Sequence, residues 1–229
     1  MICSWLHLML RIYSQTFLLN EIINIISDQL FILPNFTVIG LTKALFKNLL
    51  ELSVLNSFFI FNGKLYKQIE GLGMGLPLGP TFANIFMCFM ERNWLIDCPL
   101  DFKPVYYKRY VDDSFLLFKD KSHILLFQNY LNNKHPNIKF TCEYECNSKL
   151  SFLDCSVLRK NNKFETSTYR KDSFSGLGLS FFSFTPFLYK LNALKTLIFR
   201  GYKISSNFLN MHSEFDFLHS FFIQNEFPR

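Results

Sequence analysis

The sequence lacks several features that mark common protein classes. Its six cysteines form no CxxC pair and have no His at zinc-finger spacing, which excludes a zinc finger and favours reduced thiols. No apolar run is long and uncharged enough to predict a transmembrane helix, because residues 16–33 contain Glu21 and Asp28 and residues 174–189 are interrupted by Pro186. The start carries neither a basic leader nor a small-residue cleavage site. We therefore predict an intracellular protein without a signal peptide.

The composition predicts a folded core. Apolar residues make up 49% of the 229 positions and Phe alone accounts for 29, so the chain is not disordered and is long enough for one large domain or two small ones. Cys142 and Cys146 fall on one face of an alternating stretch, which leaves a zinc pair as an alternative to plain packing of the thiols.

Positive charge is concentrated in one segment. The net charge is +6, and residues 159–203 contain nine bases against only Glu165 and Asp172. Because this segment is interleaved with Phe and Tyr, it suits a polyanionic backbone with stacked bases, although a merely solvated basic face is the alternative. We assign the following cations to contacts with a nucleic-acid backbone: Arg170, Lys171, Lys190, Lys195, Arg200 and Lys203.

Two adjacent aspartates lie between two strand-like runs. Residues 104–109 and 114–118 are rich in aromatic and β-branched side chains, and Tyr110-Val111-Asp112-Asp113 lies between them, which predicts a hairpin with the carboxylates at its tip. Carboxylates placed so can bind divalent ions of the Mg²⁺ type, and clustered Asp residues are what two-metal phosphoryl transfer requires. The alternative is a solvated Asp-Asp turn.

A glycine-rich loop precedes an apolar helix upstream of the aspartates. Residues 71–80 contain four glycines and two prolines, and they run into the apolar stretch 81–91. Bare glycine backbone lets a base or nucleotide approach closely, and the start of the helix favours phosphate. The loop alone is weak evidence, but its combination with the aspartate pair is far less common than either feature.

Periodicity predicts the remaining elements. Apolar residues at helical spacing predict helices, and alternation with Asn-Gly or similar turns predicts strands. The predicted helices cover about 19–33, 41–57, 121–133 and 187–202, and the predicted strands cover 58–61 with 64–69, 138–146 with its partner 149–158, and 164–169. The fold class is α+β, with antiparallel strands backed by helices and a smaller basic helical appendage.

These residues resemble a known family. The loop 71–80, the helix with Glu91 and the Tyr110–Asp113 turn are similar to the palm of a reverse transcriptase. Further segments resemble Penelope-like retroelements: residues 61–69, 135–141, 150–154, 169–171 and the spaced tail with Ser183, Pro186, Lys190, Leu194, Leu197 and Arg200. The resemblance implies partial fingers and a palm over 19–158 and a small basic thumb over 159–207. Residues 1–18 do not match, and 208–229 form a C-terminal tail.

The resemblance also implies roles for single residues. Asp112 and Asp113 match the ligands of two Mg²⁺ ions, and Tyr110 matches a residue near the primer end. The loop residues that match contacts to the templating base and nucleotide are Gly75, Pro77, Leu78 and Gly79, and Lys139 matches a cation near the leaving pyrophosphate. The implied partners are an RNA template, a DNA primer and a deoxynucleoside triphosphate, with no membrane, and the implied location is the nucleus.

One expected carboxylate is absent. The family carries a third metal-binding Asp in a pattern like Asp-Val-x-Ser-Leu-Phe-Thr-Asn-Ile-Pro-Leu-x-Glu. Aligning the end of this pattern on Leu19-Asn20-Glu21 places that Asp at Met9, and the first acidic residue of the chain is Glu21. Leu76 is a lesser departure, because a small Ser is usual there. We therefore predict little or no polymerase activity, with two alternatives: a non-catalytic RNA/DNA-binding remnant, or a hydrophobic structural or membrane-associated protein.

Overall fold

The computed structural model describes residues 4–12, 16–32, 40–55, 58–68, 76–161 and 163–228. These residues form nine strands and six helices. In chain order the elements are β1 (Ser4–Ile12), α1 (Thr16–Ile32), α2 (Lys43–Leu55), β2 (Phe58–Phe61), β3 (Lys64–Lys67), α3 (Gly79–Ile96), β4 (Tyr106–Tyr110), β5 (Asp113–Phe118), α4 (Ser122–Asn132), β6 (Ile138–Tyr144), β7 (Lys149–Phe152), β8 (Cys155–Lys160), β9 (Lys163–Thr168), α5 (Phe187–Ile204) and α6 (Phe208–Gln224).

The largest sheet has four antiparallel strands in the order β4-β5-β1-β6. Its interior strand β1 pairs with two strands that follow much later in the chain, so that Ser4 lies opposite Phe118 and Leu6 lies opposite Tyr144. This strand falls within residues 1–18, for which the sequence predicted no element. The segment that does not match the family pattern thus supplies an inner strand of the sheet.

One face of this sheet carries the hydrophobic core. Side chains alternate along β5, and Ser114, Leu116 and Phe118 are buried. Phe118 meets Phe127 of α4 with ring centroids 5.5 Å apart, and the same buried cluster includes residues of α1, α3 and β6. Burying each such side chain stabilises the fold by about 1.5–3 kcal/mol. Asp113 and Phe115 fall on the opposite, partly exposed face.

The β2–β3 hairpin follows the sequence prediction. Phe61 pairs with Lys64 across a two-residue turn, and both turn residues have positive φ, 48° for Asn62 and 72° for Gly63. Asn-Gly suits this turn because both residues tolerate the left-handed region. All eight strand residues are exposed, Ile60 at 74%.

The predicted pairing of 138–146 with 149–158 is wrong. Residues 149–158 are split between β7 and β8, which pair with each other, and β9 completes a separate three-stranded sheet. The split occurs at Leu153, whose φ of 54° begins a tight turn, while β1 takes the place beside β6. One bridge between Cys146 and Lys149 joins the end of β6 to the start of β7.

Two antiparallel helices follow the three-stranded sheet. The helix predicted at about 187–202 is present as α5, and α6 lies in the segment that the sequence analysis treated as a tail. The side chain of Asn207 caps α6 by accepting a hydrogen bond from the Asn210 amide at 2.8 Å. The two helices pack closely at Gly201, where an added Cβ would lie 2.7 Å from Cγ of Glu214.

Antiparallel sheets and helices confirm the mixed class that the sequence predicted, whereas the assignment of palm, fingers and thumb stays a prediction. Within the described ranges, none of the helices combines the length and apolar character needed to cross a membrane.

Candidate metal and nucleic-acid site

The hairpin predicted around the aspartate pair is present. Tyr110 at the end of β4 pairs with Asp113 at the start of β5, so Val111 and Asp112 form the two-residue turn between them. Tyr110, Val111 and Asp112 are exposed, and Asp113 is partly buried. Val111 has a φ of 55°, which is unusual for a β-branched residue. The two carboxylates therefore lie at the tip of a tight hairpin.

The backbone register of β1 identifies the neighbour of this pair. Met9 lies opposite Asp113 of β5 on one side and opposite Thr141 of β6 on the other. This is the position at which the family pattern expects its third carboxylate, and residues 4–12 contain neither Asp nor Glu. The fold thus brings position 9 beside the aspartate pair, but the residue there cannot bind a metal through a carboxylate.

The donor set only partly fits the two Mg²⁺ ions implied by the resemblance. Asp112 and Asp113 supply hard oxygen ligands of the right kind. Among the described residues, however, no group of three or more His, Cys, Asp or Glu side chains could hold a metal ion. The arrangement is therefore incomplete for two-metal chemistry, and no reaction step is assigned to a metal.

A cavity of about 460 Å³ adjoins the hairpin. It brings Tyr110 and Asp113 together with residues from the other sheet, and its lining residues are Tyr110, Asp113, Glu143, Ser151, Leu153, Asp154, Tyr169 and Lys171. Of the residues predicted for the site, it thus unites Tyr110, Asp113 and Lys171. The sequence did not single out Glu143, and it noted Tyr169 only within the family-like segment 169–171, without a role at this site.

Some predicted backbone-binding cations are engaged within the protein. The Arg170 guanidinium donates to both Glu214 oxygens at 2.8 and 2.5 Å, and it lies 3.7 Å from the ring centroid of Phe217. Arg200 lies 3.3 Å from a carboxylate oxygen of Asp154. These contacts hold both side chains against neighbouring elements.

Lys190, which the sequence assigned to a nucleic-acid backbone and therefore to the surface, is buried. Only 9% of Lys190 is exposed, and its ammonium donates to the Ser183 carbonyl at 2.8 Å. Lys190 lies four and seven residues before Leu194 and Leu197, so helical spacing places all three on the same inner side of α5. Its charge alone did not reveal this position. Lys195 and Lys203 are exposed as predicted, and so is Lys171.

The remaining predicted residues are spread over other elements. Pro77, Leu78 and Gly79 lie at the start of α3, where the Gly79 amide donates to the Leu76 carbonyl at 3.0 Å. Gly75 and the rest of the loop 71–75 lie outside the described residues. Lys139 lies on β6, and its ammonium donates to the Asn132 carbonyl at 2.8 Å. It does not line the cavity next to Asp113.

A buried polar network lies beneath the hairpin. Glu91 of α3 accepts hydrogen bonds through Oε1 from Arg109 Nε at 2.7 Å and from the Tyr107 hydroxyl at 2.5 Å. Burial disfavours the charged guanidinium, but Glu91 outweighs this effect and the pKa of Arg109 is raised. Burial, and then Glu91, raise the pKa of Tyr107. The alternation of Tyr107 and Arg109 on β4 was the sequence signal that could have revealed this network.

Comparison with known proteins reveals similarity only at the level of structure. No protein-family model matches the sequence, and the curated proteins give no significant match. The structure of apo telomerase from Candida tropicalis superposes with a TM-score of 0.54 at 14% identity, covering 98% of this chain and 41% of that one. Telomerase from Candida albicans, solved with a TWJ fragment of telomeric RNA, gives 0.56 at 13% identity, covering 97% and 39%. The fold resembles part of telomerase.

The telomerase similarity concerns the fold alone, because identity is so low. The chain spans about two fifths of the length of each telomerase. Nearly the whole chain is covered, so the similarity extends beyond the hairpin to the elements that the sequence did not predict. It supports a fold like that of part of telomerase.

Proposed function

We propose that the chain is a reverse transcriptase domain of a Penelope-like retroelement, in which RNA-templated DNA synthesis is impaired. The observation that carries this proposal is the register of β1, which puts Met9 opposite Asp113. In this proposal Met9 occupies the position of the family's third carboxylate, which this chain lacks. In this proposal residues 19–158 include the palm and partial fingers, 159–207 form the thumb, and the domain acts in the nucleus.

Three features support RNA and DNA as partners. The fold is similar to that of telomerases, one of which was solved with RNA. The cavity beside Asp113 is bordered by Lys171, and exposed Lys195 and Lys203 lie on one helix. The Lys203 ammonium also lies 5.5 Å from the ring centroid of Phe199. A cation beside an aromatic ring suits contacts with a phosphate and a stacked base.

The residues present allow binding better than catalysis. Tyr110 and the turn at Leu153 and Asp154 would hold the primer end in the cavity, and the exposed lysines would neutralise template and primer phosphates. Two magnesium ions would be held by Asp112 and Asp113, and when bound they would supply charge stabilisation for nucleotidyl transfer. With one carboxylate absent, we expect a loss of several kcal/mol of transition-state stabilisation, which corresponds to orders of magnitude in rate.

Restoring the missing carboxylate tests this proposal. Opposed residues of an antiparallel pair share a sheet face, so Met9→Asp would place a carboxylate on the face that carries Asp113. We expect no measurable primer extension by the unaltered chain on an RNA template with Mg²⁺ or Mn²⁺, and extension by Met9→Asp that Asp112→Ala abolishes. His7→Asp is the matched control, because it adds the same charge two residues away on β1. Equal extension by both variants would refute the proposal, as would robust extension by the unaltered chain.

A non-catalytic RNA/DNA-binding remnant is the second candidate, and the lack of any carboxylate in residues 4–12 favours it. It predicts that an RNA/DNA hybrid binds with a steep dependence on salt, and that Lys195→Ala and Lys203→Ala each reduce the slope of log K against log salt by about 1. Lys121→Ala is the control, because Lys121 follows the end of β5 that is remote from the turn. Retained hybrid binding together with inactive Met9→Asp would favour this candidate.

A further inference from the structure

The aspartate turn has an unfavourable backbone. Val111 occupies the left-handed region with a φ of 55°, where a β-branched side chain is disfavoured by about 1–2 kcal/mol. Turns of this kind normally place Gly, Asn or Asp at such a position. A backbone of this kind persists only where the surrounding structure fixes it.

One guanidinium makes the contacts that could fix it. Arg109 Nη1 donates to the Val111 carbonyl at 2.8 Å, which is the acceptor in the peptide that leads into Asp112. Its Nε donates to Glu91 at 2.7 Å, and its Nη2 donates to Asn84 Oδ1 at 3.1 Å. Asn84 and Glu91 lie two helical turns apart on one side of α3. Arg109 therefore joins the turn to two points on α3, the exposed Asn84 and the buried Glu91.

The pair at the centre of these contacts is buried. The side chains of Arg109 and Glu91 are 7% and 11% exposed. Glu91 also accepts from Tyr107, whose hydroxyl lies 3.5 Å from Ser114 Oγ, next to Asp113. A buried ion pair contributes little net stability because both charges must be desolvated, so a role in specifying geometry explains its presence better.

We propose that Arg109, held by Glu91, is a positioning residue that fixes the Val111–Asp112 turn and thereby the direction of the Asp112 carboxylate. Because α3 begins at the loop residues assigned to the nucleotide, the same contacts tie that loop to the turn. Any effect of Arg109 on nucleotidyl transfer rests on the proposed function. The structural claim that Arg109 fixes the turn is independent of that function.

A second buried Arg–Glu pair provides a matched control. Arg170 and Glu214 are 23% and 7% exposed and are joined by two hydrogen bonds, but they connect the segment after β9 to α6. Breaking either pair leaves a buried charge without its partner, which lowers stability. Only the first pair contacts the aspartate turn, so a comparison of the two separates positioning from stability.

The deciding experiment is amide hydrogen exchange of the full chain without added metal. In Arg109→Gln we expect exchange at the amides of Tyr110 and Asp113, which pair across β4 and β5 and flank the turn, to rise about tenfold, as expected from loss of a hydrogen bond from a charged group. In Arg170→Gln we expect those amides to remain within about twofold of the unaltered chain. Unchanged exchange in Arg109→Gln, or an equal rise in both variants, overturns the proposal.

Arg109→Lys separates charge from geometry. Lysine keeps a cation for Glu91 but lacks the planar fork that reaches Glu91, Asn84 and the Val111 carbonyl together. We expect the urea midpoint of Arg109→Lys to be higher than that of Arg109→Gln and closer to that of the unaltered chain. Amide exchange at the turn should stay as fast as in Arg109→Gln. If lysine restores both quantities, Arg109 serves only as a structural cation and the proposal fails.

A kinetic measurement links the turn to chemistry. In the Met9→Asp chain, adding Arg109→Gln should lower kcat for primer extension about 100-fold, because a displacement near 1 Å has that effect, with KM for primer–template unchanged. A rise in KM with unchanged kcat overturns the catalytic consequence. If Met9→Asp gives no extension, the proposed function fails, and the exchange measurement alone decides whether Arg109 holds the turn.

Discussion

The β2–β3 and β4–β5 hairpins of this protein are built in opposite ways. The β2–β3 hairpin has the preferred turn residues, Asn62 and Gly63, but all of its strand side chains are exposed. The β4–β5 hairpin has Val111 in a left-handed conformation, yet one side of β5 is buried against helices. Turn chemistry and strand packing therefore contribute separately. Of these two hairpins, the one that breaks the local rule lies at the candidate site.

Removal of a buried side chain should give the largest contrast between the hairpins. Leu116→Ala in β5 removes a side chain that is 0% exposed, so we expect the free energy of unfolding to fall by about 2–5 kcal/mol. Leu65→Ala in β3 removes one that is 68% exposed, and we expect a change within about 0.5 kcal/mol. Urea titration measures both. Similar losses would mean that β2–β3 is packed against a partner in solution.

A change at the favourable turn should act locally. Gly63 has a φ of 72°, and an added Cβ would meet no atom within 4 Å, so Gly63→Ala introduces backbone strain of about 1 kcal/mol without a clash. Because the hairpin has little tertiary support, we expect amide exchange in β2 and β3 to rise about fivefold while the urea midpoint hardly moves. A lowered midpoint would show that this hairpin unfolds together with the core.

The unfavourable turn should respond in the opposite direction. Val111→Gly relieves the strained φ, but glycine also gains freedom in the unfolded chain. We expect a net stabilisation of at most about 1 kcal/mol in urea titration. Destabilisation by more than that would indicate that the Val111 side chain, although 68% exposed, has a packing role.

A thiol on β6 gives an effect that is seen only at high pH. Burial raises the pKa of Cys142 from 9.0 to about 12, so its neutral form is favoured in the folded state. Its stabilising contribution is complete below pH 9 and is lost as the pH rises through 12. We expect urea midpoints to fall less steeply between about pH 9 and 11 in Cys142→Ala than in the unaltered chain. Parallel pH profiles would contradict this assignment.

Local sequence signals predicted much of the fold. Asn62-Gly63 fixed one hairpin, and apolar residues at helical spacing located α1, α2, α4 and α5 to within a few residues. These elements depend on residues close together in the chain. The aspartate turn was also predicted, because strand-like runs flank it on both sides.

The missed features depend on contacts between distant residues. Leu153 gives no turn signal, so the division of β7 from β8 was hidden within an apolar run. Lys190 has the charge of a surface residue, but its ammonium is held by the preceding segment, through the Ser183 carbonyl and the ring of Phe181. The role of Arg109 depends on its hydrogen bond to Glu91 of α3, which lies 18 residues earlier in the chain. The sequence analysis noted Glu91 only as part of a family pattern.

The interior position of β1 means that this strand cannot pair until later parts of the chain have been synthesised. This strand leaves the ribosome before its partners β5 and β6, which are completed only at Phe118 and Tyr144. At about 5–20 residues per second, β1 waits on the order of ten seconds with both edges unpaired. Such non-local pairing also slows folding. We therefore expect nascent chains to depend on chaperones until β6 has emerged, since an early-formed strand is exposed to aggregation throughout that interval.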